Sequence, residues 1–284
     1  SGARRAMPGE ENPNMALSSV AEPQGAPGPQ RSVVARMEKV LKRFEVTVAK
    51  ADELTVIEGH QMVIIADDSG SMANPSVPPA KRKPGVDSST RWDELRATIS
   101  SIVDVTACFD SSGVDVFFLN REAVAGVKDS SDPRLVQAFE TPPDGTTPLL
   151  EAMELVTSRL SRERPVLLFL LTDGEPNGGP EPVEAALKKL VAHGGGPKIC
   201  VQIMVCTPDD EEVEWLNALD RDTEGLDVTD DYHTEQQEVL MFNKASQFTR
   251  GDWVMKAVLG TVSKKFDDWD ERNVTKEPES AALC

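Results

Sequence analysis

Oxygen-bearing side chains gather at three separated places in this chain: Asp67, Ser69 and Ser71 in the run ADDSGS, Thr146 and Thr147 just before Pro148, and Asp173 in LLTDG. The alternate spacing of Asp67, Ser69 and Ser71 lets a turning loop aim three side chains the same way, and Gly70 between them tolerates a tight backbone. Two carboxylates with several hydroxyls make a hard, all-oxygen donor set. Magnesium suits it, with manganese or calcium as alternatives, whereas zinc and copper prefer nitrogen and sulfur. Because hydroxyls are neutral, the protein would cancel only part of a dication's charge, and the ion would stay electrophilic enough to take a carboxylate from outside. The chemistry expected is docking rather than turnover.

Such scattered residues can meet only if the fold brings their segments to one edge. HQMVIIAD (60–67), VDVFFLN (114–120), PVLLFLLTD (165–173) and KICVQIMVC (198–206) are short apolar runs of the kind buried on both faces of a parallel sheet, with a shorter candidate in LDVTD (226–230). Helical patterns lie between them. Ser89 and Thr90 can cap WDELRATISSIVDVTAC, Pro148 can open LLEAMELVTSRL, and EPVEAALKKLVAH, DEEVEWLNAL and GDWVMKAVLGTVSKKF follow. This alternation predicts an α/β fold: a Rossmann-like, doubly wound, mostly parallel central sheet of about six strands with helices on both faces. Function in that architecture gathers beyond the carboxyl ends of the strands, where Asp67 and Asp173 fall.

D-x-S-x-S after a strand, a threonine in GTTPLLEA and LLTDG after a later strand together resemble the metal-ion-dependent adhesion site of von Willebrand factor type A domains, over roughly residues 45–270. The resemblance implies direct ligation of a cation by Ser69, Ser71 and a threonine, with Asp67 and Asp173 acting largely through water. The family pattern puts that threonine immediately before the helix, which favours Thr147 over Thr146. It also implies a protein partner that presents an Asp or Glu to the metal. FTRGDWVMKAVLG (248–260) and LDVTDDY (226–232) look like the intracellular eukaryotic and microbial members, so a cytoplasmic adaptor or assembly factor is expected. Extracellular adhesion is the alternative.

An enzymatic role is not expected. Ser69 lacks G-x-S-x-G flanks, none of His60, His193 and His233 is placed as its base, and Asp67 has no glycine-rich phosphate loop beside it for phosphoryl transfer. Arg250, Gly251 and Asp252 spell an integrin-binding tripeptide, but Asp252 is better read as the cap of the last helix.

A formal net charge of −18 over 284 residues argues against nucleic acid or an anionic membrane as partner, and no apolar run approaches the roughly 18 residues of a membrane span. The cysteines at 108, 200, 206 and 284 form no C-x-x-C pair, and Cys200 and Cys206, on one strand, stand roughly 20 Å apart, so reduced thiols are expected. Residues 1–30 have the composition of a disordered lead-in. Residues 31–270 form the domain, with a helix over 32–44 and a proline-rich insert at 73–90 carrying Lys81, Arg82 and Lys83; 271–284 are a flexible tail. The oligomeric state is left open.

Overall fold

A computed structural model describes residues 29–44, 46, 48–77, 89–174, 176–192, 196–207, 210–242 and 247–267. The insert's basic residues, His193 and the two chain ends expected to be unstructured lie outside the described residues, except that the first helix opens at Pro29. Among the described residues there are six strands: β1 (Gln61–Ala66), β2 (Val114–Phe118), β3 (Val124–Val127), β4 (Val166–Thr172), β5 (Ile199–Val205) and β6 (Leu226–Thr229). The helices are α1 (Pro29–Phe44), α2 (Val48–Glu53), α3 (Arg91–Thr106), α4 (Pro133–Glu140), α5 (Leu149–Thr157), α6 (Glu181–Val191), α7 (Asp210–Asp222), α8 (Tyr232–Phe242), α9 (Arg250–Leu259) and α10 (Lys264–Asp267).

The strands form one sheet in the order β3-β2-β1-β4-β5-β6. Pairing is parallel throughout except between β2 and β3, which is antiparallel, so the sheet is mixed. The chain is an α/β protein with a six-stranded sheet and helices. The antiparallel edge was not expected, because VAGV is too short and too small in side chains to register as an apolar run.

Alternation along the strands divides the interior into two cores, one on each face. Met62, Ile64, Val116, Leu167 and Phe169 face a core shared with Ile99 and Ile102 of α3 and Val254 and Val258 of α9. Val63, Ile65, Leu168, Leu170 and Ile203 face another, shared with Met153 of α5, Leu187 of α6 and Leu216 of α7. β4 is buried along its whole length, as a central strand covered on both sides must be.

The helix starts that flank the site are chemically defined. Thr90 caps α3 by accepting from the Asp93 amide at 3.1 Å, and Asp93 returns the bond to the Thr90 amide, a full capping box. Thr249 and Asp252 do the same for α9. Asp252, read from sequence as the cap, is the reciprocal member of the box, and Thr249 is the cap itself. Cys108, Cys200 and Cys206 are buried and in no disulfide among the described residues, and burial pushes the thiols of Cys200 and Cys206 up.

Candidate metal centre

β1 and β4 lie side by side in parallel register, Ala66 against Leu171, and both stop at the same edge. The next residues therefore emerge together: Asp67 after β1, its amide still donating to the Leu171 carbonyl at 2.9 Å, and Asp173 after β4. Asp67 is buried, with Oδ1 accepting from the Ser69 amide at 2.9 Å and Oδ2 from the Thr172 hydroxyl at 2.8 Å. These two bonds lock its carboxylate at the base of the loop. The chain then turns in a short 3-10 segment (Gly70–Ala73) that brings the Ser69 and Ser71 hydroxyls within 3.0 Å of each other. Ser71 Oγ donates to Asp173 Oδ1, also at 3.0 Å, closing a contact between residues 102 apart in the chain.

The threonine loop is tied to the same edge by its backbone. Gly70 donates to the Gly145 carbonyl at 3.1 Å and Asp144 to the Asp68 carbonyl at 2.9 Å. Gly145 is the glycine this arrangement requires: its φ is +108°, and a Cβ there would come within 2.6 Å of Asn120 Oδ1. Gly70, expected to serve the tight backbone, has no positive φ, and a Cβ there would meet the Gly145 carbonyl only at an ordinary contact distance of 3.6 Å. Thr147 is half-buried and exchanges backbone bonds with Asn177, its amide reaching Asn177 Oδ1 at 3.2 Å and its carbonyl accepting from the Asn177 amide at 2.9 Å. Thr146 is exposed, and its carbonyl accepts from Asn120 Nδ2 at 2.8 Å.

A cleft of about 910 Å³ opens over this edge. Ser71, Thr147, Asp173 and Arg91 line one side, and Glu212, Glu214 and Trp215 of α7 line the other. Arg91, which sequence reading passed over, holds Asp173 Oδ2 through Nη1 at 2.8 Å and Glu212 Oε2 through Nη2 at 3.0 Å. Thr172, Asn120, Arg121 and Asn177 were missed as well. The legible signal for three of them is position alone, since Thr172, Asn120 and Arg121 all fall at or just past the carboxyl ends of strands.

The donor set suits a hard dication on chemical grounds. It is entirely oxygen, and burial raises the Asp67 carboxyl above the usual carboxylate range, with the neighbouring Asp173 charge adding to the rise against the Ser69 hydrogen bonds. Two carboxylates crowded at one buried edge gain from a cation that neutralises both. Among the described residues no group of three or more His, Cys, Asp or Glu side chains is placed to hold a metal, so a cation here depends on the hydroxyls. Ser69 Oγ has another hydroxyl as its partner, and His60 precedes β1 at the opposite edge of the sheet.

No family model and no curated protein matches the chain. Among solved structures it is similar to a mutant of the PilB minor pilin from Streptococcus sanguinis, at 13% identity and a TM-score of 0.44. The match covers 75% of this chain and 63% of that one, so the chain spans less than two thirds of its neighbour's length.

Proposed function

We propose that this chain is a von Willebrand factor type A domain that binds a protein partner through a divalent cation held by Asp67, Ser69, Ser71, Thr147 and Asp173. The observation that carries the reading is the unbroken contact from Ser69 through Ser71 to Asp173, which joins two loops at the sheet edge in an all-oxygen cluster. Strand order supports it. Proceeding outwards, the sheet runs β1-β2-β3 one way and β4-β5-β6 the other, which is the order of Rossmann-like, doubly wound sheets. The reversal falls between β1 and β4, and in open α/β sheets ligands bind at that switch point. Asp67 and Asp173 stand on either side of it.

Magnesium, or manganese or calcium in its place, supplies an electrophilic centre when bound. Ser69, Ser71 and Thr147 would offer it their hydroxyls, and Asp67 and Asp173 would hold it largely through water. The partner contributes an Asp or Glu through the cleft, and the role is recognition without turnover, in an intracellular adaptor or assembly factor. The test is calorimetric titration with Mg²⁺ and Mn²⁺, together with capture of partners from a lysate of the source organism in magnesium and in chelator. Uptake of one dication that disappears in Asp67→Ala, and a partner lost in both chelator and mutant, are the expected results. No uptake by the unaltered protein ends the reading.

A further inference from the structure

Arg91 is an odd residue for its position. It is the first residue of α3, where the helix dipole is positive and acidic side chains are preferred, as Asp93 and Glu94 in the same turn show. Its side chain is only 9% exposed, and Nε finds no hydrogen-bond partner among the described residues. A cation buried at the wrong end of a helix with one donor unsatisfied is poor for stability. Its two remaining contacts show where the compensation lies. One arm holds Asp173, 2% exposed and part of the proposed metal cluster; the other holds Glu212, whose side chain is 40% exposed and whose Oε2 also accepts from the Thr207 hydroxyl at 2.8 Å. Both lie in the cleft over the sheet edge.

We infer that Arg91 is a resident cation that competes with the divalent ion for Asp173, and that Glu212 sets the strength of that competition by sharing the guanidinium. The inference rests on the cation reading above and concerns how that site is regulated. Asp173 offers one oxygen to Ser71 and the other to Arg91, so a dication approaching the hydroxyls meets a carboxylate already half neutralised. Arg91 thereby keeps the edge assembled without metal and lowers affinity for the metal. Glu212 draws part of the guanidinium charge towards α7. Any partner that engages α7 and removes Glu212 from Arg91 shifts that charge onto Asp173, which couples occupancy of the cleft to the ion.

The pair predicts opposite effects from neutralising its two members, and the metal alone reads them. With Mn²⁺ titrated calorimetrically into the full chain, Arg91→Gln should tighten binding roughly tenfold, because a unit positive charge beside the ion is removed. Glu212→Gln should weaken it roughly threefold. In the double variant the Glu212 effect should shrink towards none, since it acts through Arg91. Glu212→Gln lies on an exposed side chain and tests the idea even if Arg91→Gln fails to fold, a point that circular dichroism checks. Unchanged or weaker binding in folded Arg91→Gln, unchanged binding in Glu212→Gln, or an equal Glu212 effect with and without Arg91, overturns the inference while leaving the cation reading intact. Absence of Mn²⁺ uptake by the unaltered protein defeats both.

Discussion

Asp68 sits between two residues proposed to serve the ion, yet it is spent on the scaffold. Fully buried, it accepts through Oδ1 from the Asn120 amide at 2.8 Å and through Oδ2 from Arg121 Nε at 2.5 Å. Arg121 in turn donates to the Ala138 and Thr141 carbonyls at 2.6 and 3.1 Å and lies over the Trp92 ring, 4.9 Å from its centroid. The group joins the first loop to the ends of β2 and α4 and to the first turn of α3. Asp68→Asn would leave a guanidinium, 18% exposed, without its charge partner and should cost about 3 kcal/mol of stability. Urea unfolding with an unchanged slope is the check, and a loss under 1 kcal/mol would contradict the role. Sequence assigned Asp68 nothing, for a physical reason: its partners are 52 and 53 residues downstream, and a lone aspartate in a turn carries no mark of a distant arginine. Asp67, Ser69, Ser71 and Asp173 stood out in the sequence because oxygen-bearing side chains at alternate positions past a strand end form a recognisable pattern, and the structure brings them together. Arg91 was not, since its partners Asp173 and Glu212 lie 82 and 121 residues downstream.

At the scale of elements, Gly251 governs how α1 meets α9. A Cβ at this position would come within 2.0 Å of the Phe44 carbonyl, a backbone atom that cannot give way. Gly251→Ala should therefore push α1 from its seat and lower the melting temperature, whereas Ala for the neighbouring exposed Arg250 should change it little. The link between β6 and α8 carries a different burden. The Asp230 carboxyl is pushed up to about 7, chiefly by burial and then by Glu235, Glu238 and Asp231, with Lys256 opposing. Since the unfolded value is about 4, the folded state holds this proton more tightly; the stability it contributes is full below about pH 4 and is lost as pH rises through 7. Asp230→Asn should accordingly melt higher than the unaltered protein at pH 8 and converge with it at acid pH, as calorimetric scans across that range would show. A constant difference at all pH values would refute the assignment. Five of the six strands and the helices α1, α3, α5, α6, α7 and α9 are visible in sequence because apolar runs and helical periodicity report burial directly. β3 is a four-residue edge strand, and α8 reads YHTEQQEVLMF, mostly polar with little apolar stripe, so neither leaves the pattern such reading depends on.

For the molecule as a whole, charge decides how a partner arrives. The chain carries 48 acidic and 30 basic residues, a formal net charge of −18, and the proposed partner also brings an acidic side chain to a cleft that contains Glu212 and Glu214. For a partner that is acidic around that side chain, a bound ion would act only at close range and the field of the body would oppose the approach. Salt should then accelerate association. Raising ionic strength from about 0.03 to 0.15 M shortens the screening length from roughly 18 to 8 Å, which removes most of the repulsion between separated surfaces. The association rate constant in magnesium, measured by stopped flow with the captured partner, should rise over that range, where most protein pairs steered by opposite charges slow down. Lys81, Arg82 and Lys83 are a run of three positive charges in the sequence of the insert that follows the Asp67–Ser71 segment. Changing all three to Gln should slow association at low salt and have no effect once screening is complete. A rate that falls with salt would mean that attraction steers the encounter, and the partner's recognition surface would then have to be basic rather than acidic.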